Sequence, residues 1–120
     1  MRPVTTREER GVLILALEEP AGVNDGQSDL YRQKIYEAVN GLERPLVAVD
    51  LRPIDFLSSS GVALLIGLRR RVDAAAGSLV LFGLHPYVQD LLRVMKIAPL
   101  FRIADDEAGA LELLSPTSAV

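Results

Sequence analysis

Two short runs, Leu46-Val47-Ala48-Val49-Asp50 and Ser78-Leu79-Val80-Leu81-Phe82, are apolar at nearly every consecutive position, so neither has a polar face to turn to water. Strand-length runs of this kind belong in the middle of a parallel sheet, where other layers cover both faces. Each run is followed by a segment with helical periodicity. After the first, Val62 to Ala75 carries Leu65, Ile66, Arg69 and Val72 on adjoining rows, with Gly77 as its stop. After the second, His85-Pro86 precedes Val88, Leu91, Leu92 and Met95 at i, i+3, i+4 and i+7. Strands alternating with amphipathic helices predict βαβ units, parallel neighbours and right-handed crossovers.

The flanking segments extend the pattern. Gly11 to Leu17 is a short apolar run ended by Glu18-Glu19-Pro20, and Val4 to Glu9 supplies a possible edge strand. Gly22, Asn24, Asp25 and Gly26 are turn formers, after which Tyr31, Ile35, Ala38, Val39 and Leu42 fall at the spacing of an amphipathic helix of about four turns. Phe101-Arg102-Ile103 is a short extended piece, and a last helix carries Ala108, Leu111 and Leu114 with Asp105 as its expected N-cap. The expected fold is α/β: a small mixed sheet with parallel central strands and about four α-helices. The 120 residues suit a single domain, expected over 1–114, with Ser115 to Val120 as a loose tail.

Composition removes many chemistries. Thirteen basic against sixteen acidic residues leave a net charge of −3, without the basic excess that phosphate-backbone contacts favour, so no nucleic-acid partner is expected. The chain has no cysteine, which excludes disulfides, thiol nucleophiles and thiolate metal sites, and its one histidine, His85, cannot build a multi-histidine site. Neither a P-loop nor a dinucleotide fingerprint occurs, and no cofactor, metal or catalytic residue is expected. The apolar runs are short: Val12 to Leu17 is six residues, and Val62 to Ile66 reaches Leu68 only through Gly67, far short of the ~20 residues of a membrane span. The N-terminus lacks the apolar core of a signal peptide, which makes a cytoplasmic location the expectation.

The most informative stretch runs from Asp50 to Val62, DLRPIDFLSSSGV, where a strand-loop turns into a helix. One reading is capping: Ser58 or Ser59 accepts a hydrogen bond from an orphan backbone N–H. A second is modification, because the free N–H groups and dipole of a helix N-terminus accommodate an added phosphate. In that first turn Gly61, without a Cβ, would let another molecule approach the serine hydroxyl closely. The apolar Val62, Leu65, Ile66 and Leu68 predict either an exposed contact patch or a helix wholly given to the core.

These residues resemble the STAS domain of bacterial anti-sigma factor antagonists. The shared features are a buried strand ending in Asp, a hydrophobic-x-Phe loop, Ser-Ser-Gly and an apolar helix. The likeness runs from about Gly11 to Leu114 and includes the Asp73-Ala74-Ala75-Ala76-Gly77 helix end and the Leu84-to-Leu100 stretch. The resemblance implies a non-enzymatic protein that binds an anti-sigma factor with serine kinase activity. Phosphorylation of one serine ends that binding, and a serine phosphatase restores it. By position the acceptor is Ser60, with Ser59 as the second candidate. The implied partner surface comprises Asn24, Asp25, Ser58, Ser59, Ser60, Gly61 and Val62. Where the family usually has Asp-Ser-Ser-Gly or Asp-Ser-Thr-Gly, this chain has Ser58 in place of the aspartate, which removes a negative charge beside the acceptor. A related branch, in which a non-phosphorylatable small residue follows Phe-Leu-Ser-Ser, implies the alternative of an unphosphorylated scaffold or accessory module in a sensory or membrane-transport complex.

Other residues have simpler readings. Asn24 and Asp25 suit a turn by bonding their own backbone. Arg69-Arg70-Arg71 cannot share one helix face, and the positive charge suits a solvated helix C-terminus. His85-Pro86 is expected to cap or pre-organise its helix. Asp50 and Asp55 could pair as acid and base or bind Mg²⁺, but no lysine or phosphate loop lies near, and Asp50 reads as a strand-end carboxylate. An aspartate-phosphorylated receiver would need a lysine after a later strand, whereas Lys34 and Lys96 fall on predicted helices.

Overall fold

The computed structural model describes residues 4–18 and 29–114. Five strands form one sheet: β1 (Val4–Glu9), β2 (Val12–Leu17), β3 (Leu46–Asp50), β4 (Ser78–Phe82) and β5 (Arg102–Ala104). Their spatial order equals their chain order. β1 and β2 pair antiparallel, and β2, β3, β4 and β5 pair parallel, with Ala48 opposite Ile14 on one side and Val80 on the other. Arg10 and Gly11 join β1 to β2 with φ of 52° and 78°, the paired left-handed residues of a two-residue hairpin whose twist matches the strands.

Among the described residues, four helices accompany the sheet: α1 (Asp29–Val39), α2 (Ser59–Ala74), α3 (Pro86–Val94) and α4 (Glu107–Leu114). A monotonic strand order with right-handed crossovers puts α1, α2 and α3 on one face. The packing agrees. Val47, Val49, Leu51, Leu79 and Leu81 point into a core shared with Ile35, Leu65, Leu68, Val88 and Leu92 of those helices. The alternate residues Ile14, Ala48, Val80 and Phe82 point to the opposite face, where Ala110, Leu111 and Leu114 of α4 meet them. The period-2 alternation of each strand thus feeds two separate cores. Burying the side chains of Phe82 and Leu81 alone removes roughly 1.5–3 kcal/mol of apolar exposure each.

Element boundaries differ from expectation in four places. α1 ends at Val39, so Leu42 lies beyond it and is exposed. α2 starts at Ser59, three residues before the apolar pattern begins, because a serine ahead of it supplies the cap. A 3-10 turn, Ala98–Leu100, bridges α3 to β5. The N-cap of α4 is Asp106 and not Asp105: its carboxylate accepts the Gly109 N–H at 2.8 Å. The expected tail lies outside the described residues.

Candidate functional site

The C-terminal ends of β3 and β4 release two loops that lead to the N-termini of α2 and α3. The first, residues 51–58, is pinned by every third side chain: Leu51, Ile54 and Leu57 are buried, while Arg52, Pro53, Asp55 and Phe56 are exposed. The Leu51 N–H donates to the Phe82 carbonyl and the Ile54 N–H to the Leu51 carbonyl, both at 3.0 Å. The loop ends at Ser58, whose backbone is extended (φ −82°, ψ 174°) and whose hydroxyl accepts the Gly61 N–H at 3.2 Å. Ser58 and not Ser59 is therefore the cap. Ser59 is exposed and Ser60 half-buried, while Gly61 and Val62 are buried. The first turn of α2 carries no acidic side chain, so nothing there offsets the positive end of the helix dipole.

The two loops are tied to each other through Arg52. Asp50, at the end of β3, is 6% exposed, and its carboxylate receives three bonds from Arg52: the backbone N–H and Nε at 3.0 Å, and Nη2 at 2.7 Å. Burial pushes the Asp50 carboxyl up, but the hydrogen bonds and charge of Arg52, with the charge of Arg7, outweigh it and hold the carboxyl below its ordinary range. The guanidinium lies 5.6 Å from the centre of the Phe82 ring. A Cβ on Gly83, whose φ is +73°, would overlap Arg52 Cγ. The Arg52 carbonyl lies 3.0 Å from His85 Nε2, and His85 stands at the N-cap of α3 without bonding a helix N–H. His85 thus joins the loops instead of capping its helix. With Asp50 committed to Arg52, no Asp50–Asp55 acid–base or Mg²⁺ pair forms. Among the described residues no group of three His, Asp or Glu side chains could hold a metal.

Comparison with known proteins decides the family. The model of the STAS domain matches residues 3–110. The chain belongs to the STAS domain family. It is 25% identical over 115 residues to the anti-sigma F factor antagonist of Paenibacillus polymyxa, covering 96% of this chain and 97% of that one. The structure of an anti-sigma-factor antagonist STAS domain protein from Planctomyces limnophilus superposes with a TM-score of 0.83 at 19% identity, covering 93% and 97% of the two chains. The phosphorylated form of the Bacillus cell fate determinant SpoIIAA superposes with a TM-score of 0.64 at 21% identity, covering 92% and 97%.

In this STAS domain, Ser58, Ser59, Ser60, Gly61 and Val62 stand together in one helical turn. Asn24 and Asp25 lie outside the described residues. The early apolar residues of α2 do not form an exposed patch: Val62, Leu65 and Leu68 are core, Ile66 is half-buried, and Ala63 alone of positions 62–65 is exposed. Apolar exposure comes instead from Phe56, at 48%, and Tyr87, at 57%. Their ring centres are 6.2 Å apart. The sequence reading passed over Tyr87, although its place right after a helix-starting proline, about 100° around the helix from buried Val88, marked it as outward. The basic run at the end of α2 disperses, as its spacing predicts: Arg69 meets Asp73 at 3.5 Å, and Arg71 stacks 3.7 Å over the Tyr36 ring. Among the described residues no helix is long and apolar enough to cross a membrane.

Proposed function

We propose that this STAS protein is an anti-sigma factor antagonist. It binds an anti-sigma factor with serine kinase activity, and phosphorylation of Ser60, or of Ser59 in its place, switches that binding off. A serine phosphatase reverses the switch, and all of this takes place in the cytoplasm. The protein acts by binding and not by catalysis.

The observation that carries the reading is the turn at Ser58–Gly61. Serine and aspartate are about equal as N-caps. Ser58 therefore preserves the local backbone that the family's aspartate would give, since its hydroxyl closes the turn on the Gly61 N–H. The substitution changes charge and not shape. A phosphate of about −1.5 to −2 charge would meet free N–H groups and no acidic neighbour in the first turn, so the fold tolerates it. The same dianion inside an interface must shed water and is repelled by acidic partner groups, and about 3 kcal/mol of such penalty weakens binding more than a hundredfold. Partner contact at this turn falls to Ser59 and Ser60, with the loops beside it. Gly61 and Val62, being buried, contribute by shaping the turn.

Incubation with purified anti-sigma factor kinases and ATP, followed by mass analysis, tests the reading. Phosphate on Ser60, loss of binding in Ser60→Asp and retained binding in Ser60→Ala, with melting temperatures near the parent, are the expected results. Phosphate on Ser59 moves the site by one residue. Tight partner binding with no phosphate under any kinase would replace the switch with the scaffold alternative.

A further inference from the structure

We infer that Phe56 and Tyr87 form an aromatic anchor for an arginine-bearing segment of the anti-sigma partner, beside the start of α2. The inference rests on the antagonist reading and specifies which surface delivers the affinity.

The two rings, 6.2 Å apart and inclined by 33°, lie within the range of favourable aromatic pairs, yet about half of each residue faces water. Large aromatics held at a surface are the residue types on which binding energy concentrates. Both are pre-ordered. Phe56 sits between buried Ile54 and Leu57, and Tyr87 follows Pro86 in the first turn of α3. The 3.0 Å contact of His85 Nε2 with the Arg52 carbonyl ties the two loops. Little ordering entropy is lost when a partner arrives at such a surface.

Charge chooses the occupant. Asp50 is neutralised by Arg52, and Asp90 is paired with Arg93. Asp55, next to Phe56 in the same loop, is exposed and has no ion pair among the described residues. The uncompensated charge beside the aromatic pair is therefore negative, and the faces of the rings are negative as well. A cation suits both. Arginine fits better than lysine, because its planar guanidinium stacks on a ring and still reaches a carboxylate with two N–H groups.

Binding of the full chain to the purified anti-sigma factor that recognises it tests the anchor. Phe56→Ala and Tyr87→Ala should each weaken binding by about tenfold or more without changing the melting temperature. Tyr87→Phe should retain binding, whereas Tyr87→Leu should lose as much as alanine, because leucine keeps apolar area but has no ring. Asp55→Asn should weaken binding and flatten its dependence on salt. Parent-like affinity in Tyr87→Leu would overturn the guanidinium. Parent-like affinity in both alanine variants, with Ser60→Asp still unable to bind, would overturn the anchor and leave the switch standing. If no anti-sigma factor binds the parent chain, the antagonist reading fails and the anchor fails with it. Concentration-dependent self-association of the parent, lost in Tyr87→Ala, would assign the rings to a second copy of this chain and overturn the partner assignment.

Discussion

The two ends of α2 are built to opposite purposes. At its C-terminus the chain closes completely. The Gly77 N–H donates to the Val72 carbonyl and the Ala76 N–H to the Asp73 carbonyl, at 2.9 and 3.0 Å, the paired bonds of a Schellman motif. Ser78 and Arg44 then bond across to Pro45 and Ala75 at 2.9 Å. At its N-terminus one serine hydroxyl caps one N–H, and the next two hydroxyls stand at or near the surface. An end that only has to return the chain to the sheet satisfies its own polar groups. An end that meets another molecule leaves some of its capacity unspent.

The largest effect should come from the closed end. A Cβ on Gly77 would run into the Pro45 carbonyl oxygen and the Pro45 ring, neither of which can rotate away. Gly77→Ala should destabilise by about 3 kcal/mol, the upper part of the usual overpacking range, in denaturant melts, with partner affinity of the folded fraction unchanged. An equal loss of affinity would show that the two ends are not independent.

Next comes the clasp between the loops. Arg52→Ala leaves the buried Asp50 carboxylate with one backbone donor of the three bonds it had, which should cost about 1–3 kcal/mol at neutral pH. The folded state holds the Asp50 carboxyl below its ordinary range, so the folded state binds fewer protons than the unfolded chain. That contribution is present above the ordinary carboxylate range and is lost as pH falls through the depressed folded value. The stability gap between parent and Arg52→Ala should accordingly narrow below about pH 4. A gap that stays constant down to pH 2 would place the effect in packing on Phe82 instead.

At the open end, Ser58→Ala should cost about 1 kcal/mol, and Ser58→Asp should restore it. Measured with the kinase, Ser58→Asp also separates cap from charge: a changed phosphorylation rate at unchanged stability would show that the charge matters to recognition. The smallest effect returns to the closed end. Ala76 holds φ +60° as the left-handed residue of the Schellman turn, so Ala76→Gly should add about 0.5–1 kcal/mol to thermal stability.

That last residue shows what the sequence conceals. Gly77 read naturally as the helix stop, and it is part of the stop. Yet the left-handed position belongs to Ala76, and glycine is needed one residue later for want of space against Pro45. Local pattern reports where an element ends, while tertiary contact decides which residue bears the strain. The strands and helices were legible because their apolar periodicity is local: every expected strand is present, and the helices differ mainly at their ends. The turn from Ser58 to Gly61 was legible as a cap for the same reason. The link from Asp50 through Arg52 to His85 was not, because it joins residues 33 positions apart across adjacent loops. The pairing of Phe56 with Tyr87 was hidden likewise, being set by the parallel register of β3 and β4.

The strand order has a consequence for synthesis. Because β1 to β5 lie side by side in chain order, no strand has to be inserted between two that are already paired. Each strand–helix unit can dock on the unit before it as the chain emerges, so every parallel pairing closes across a single helical crossover. The face lined by Ile14, Ala48, Val80 and Phe82 is the exception, since α4 that covers it is made last. A chain cut before Glu107 would keep all five strands but leave one apolar side of the sheet open to water.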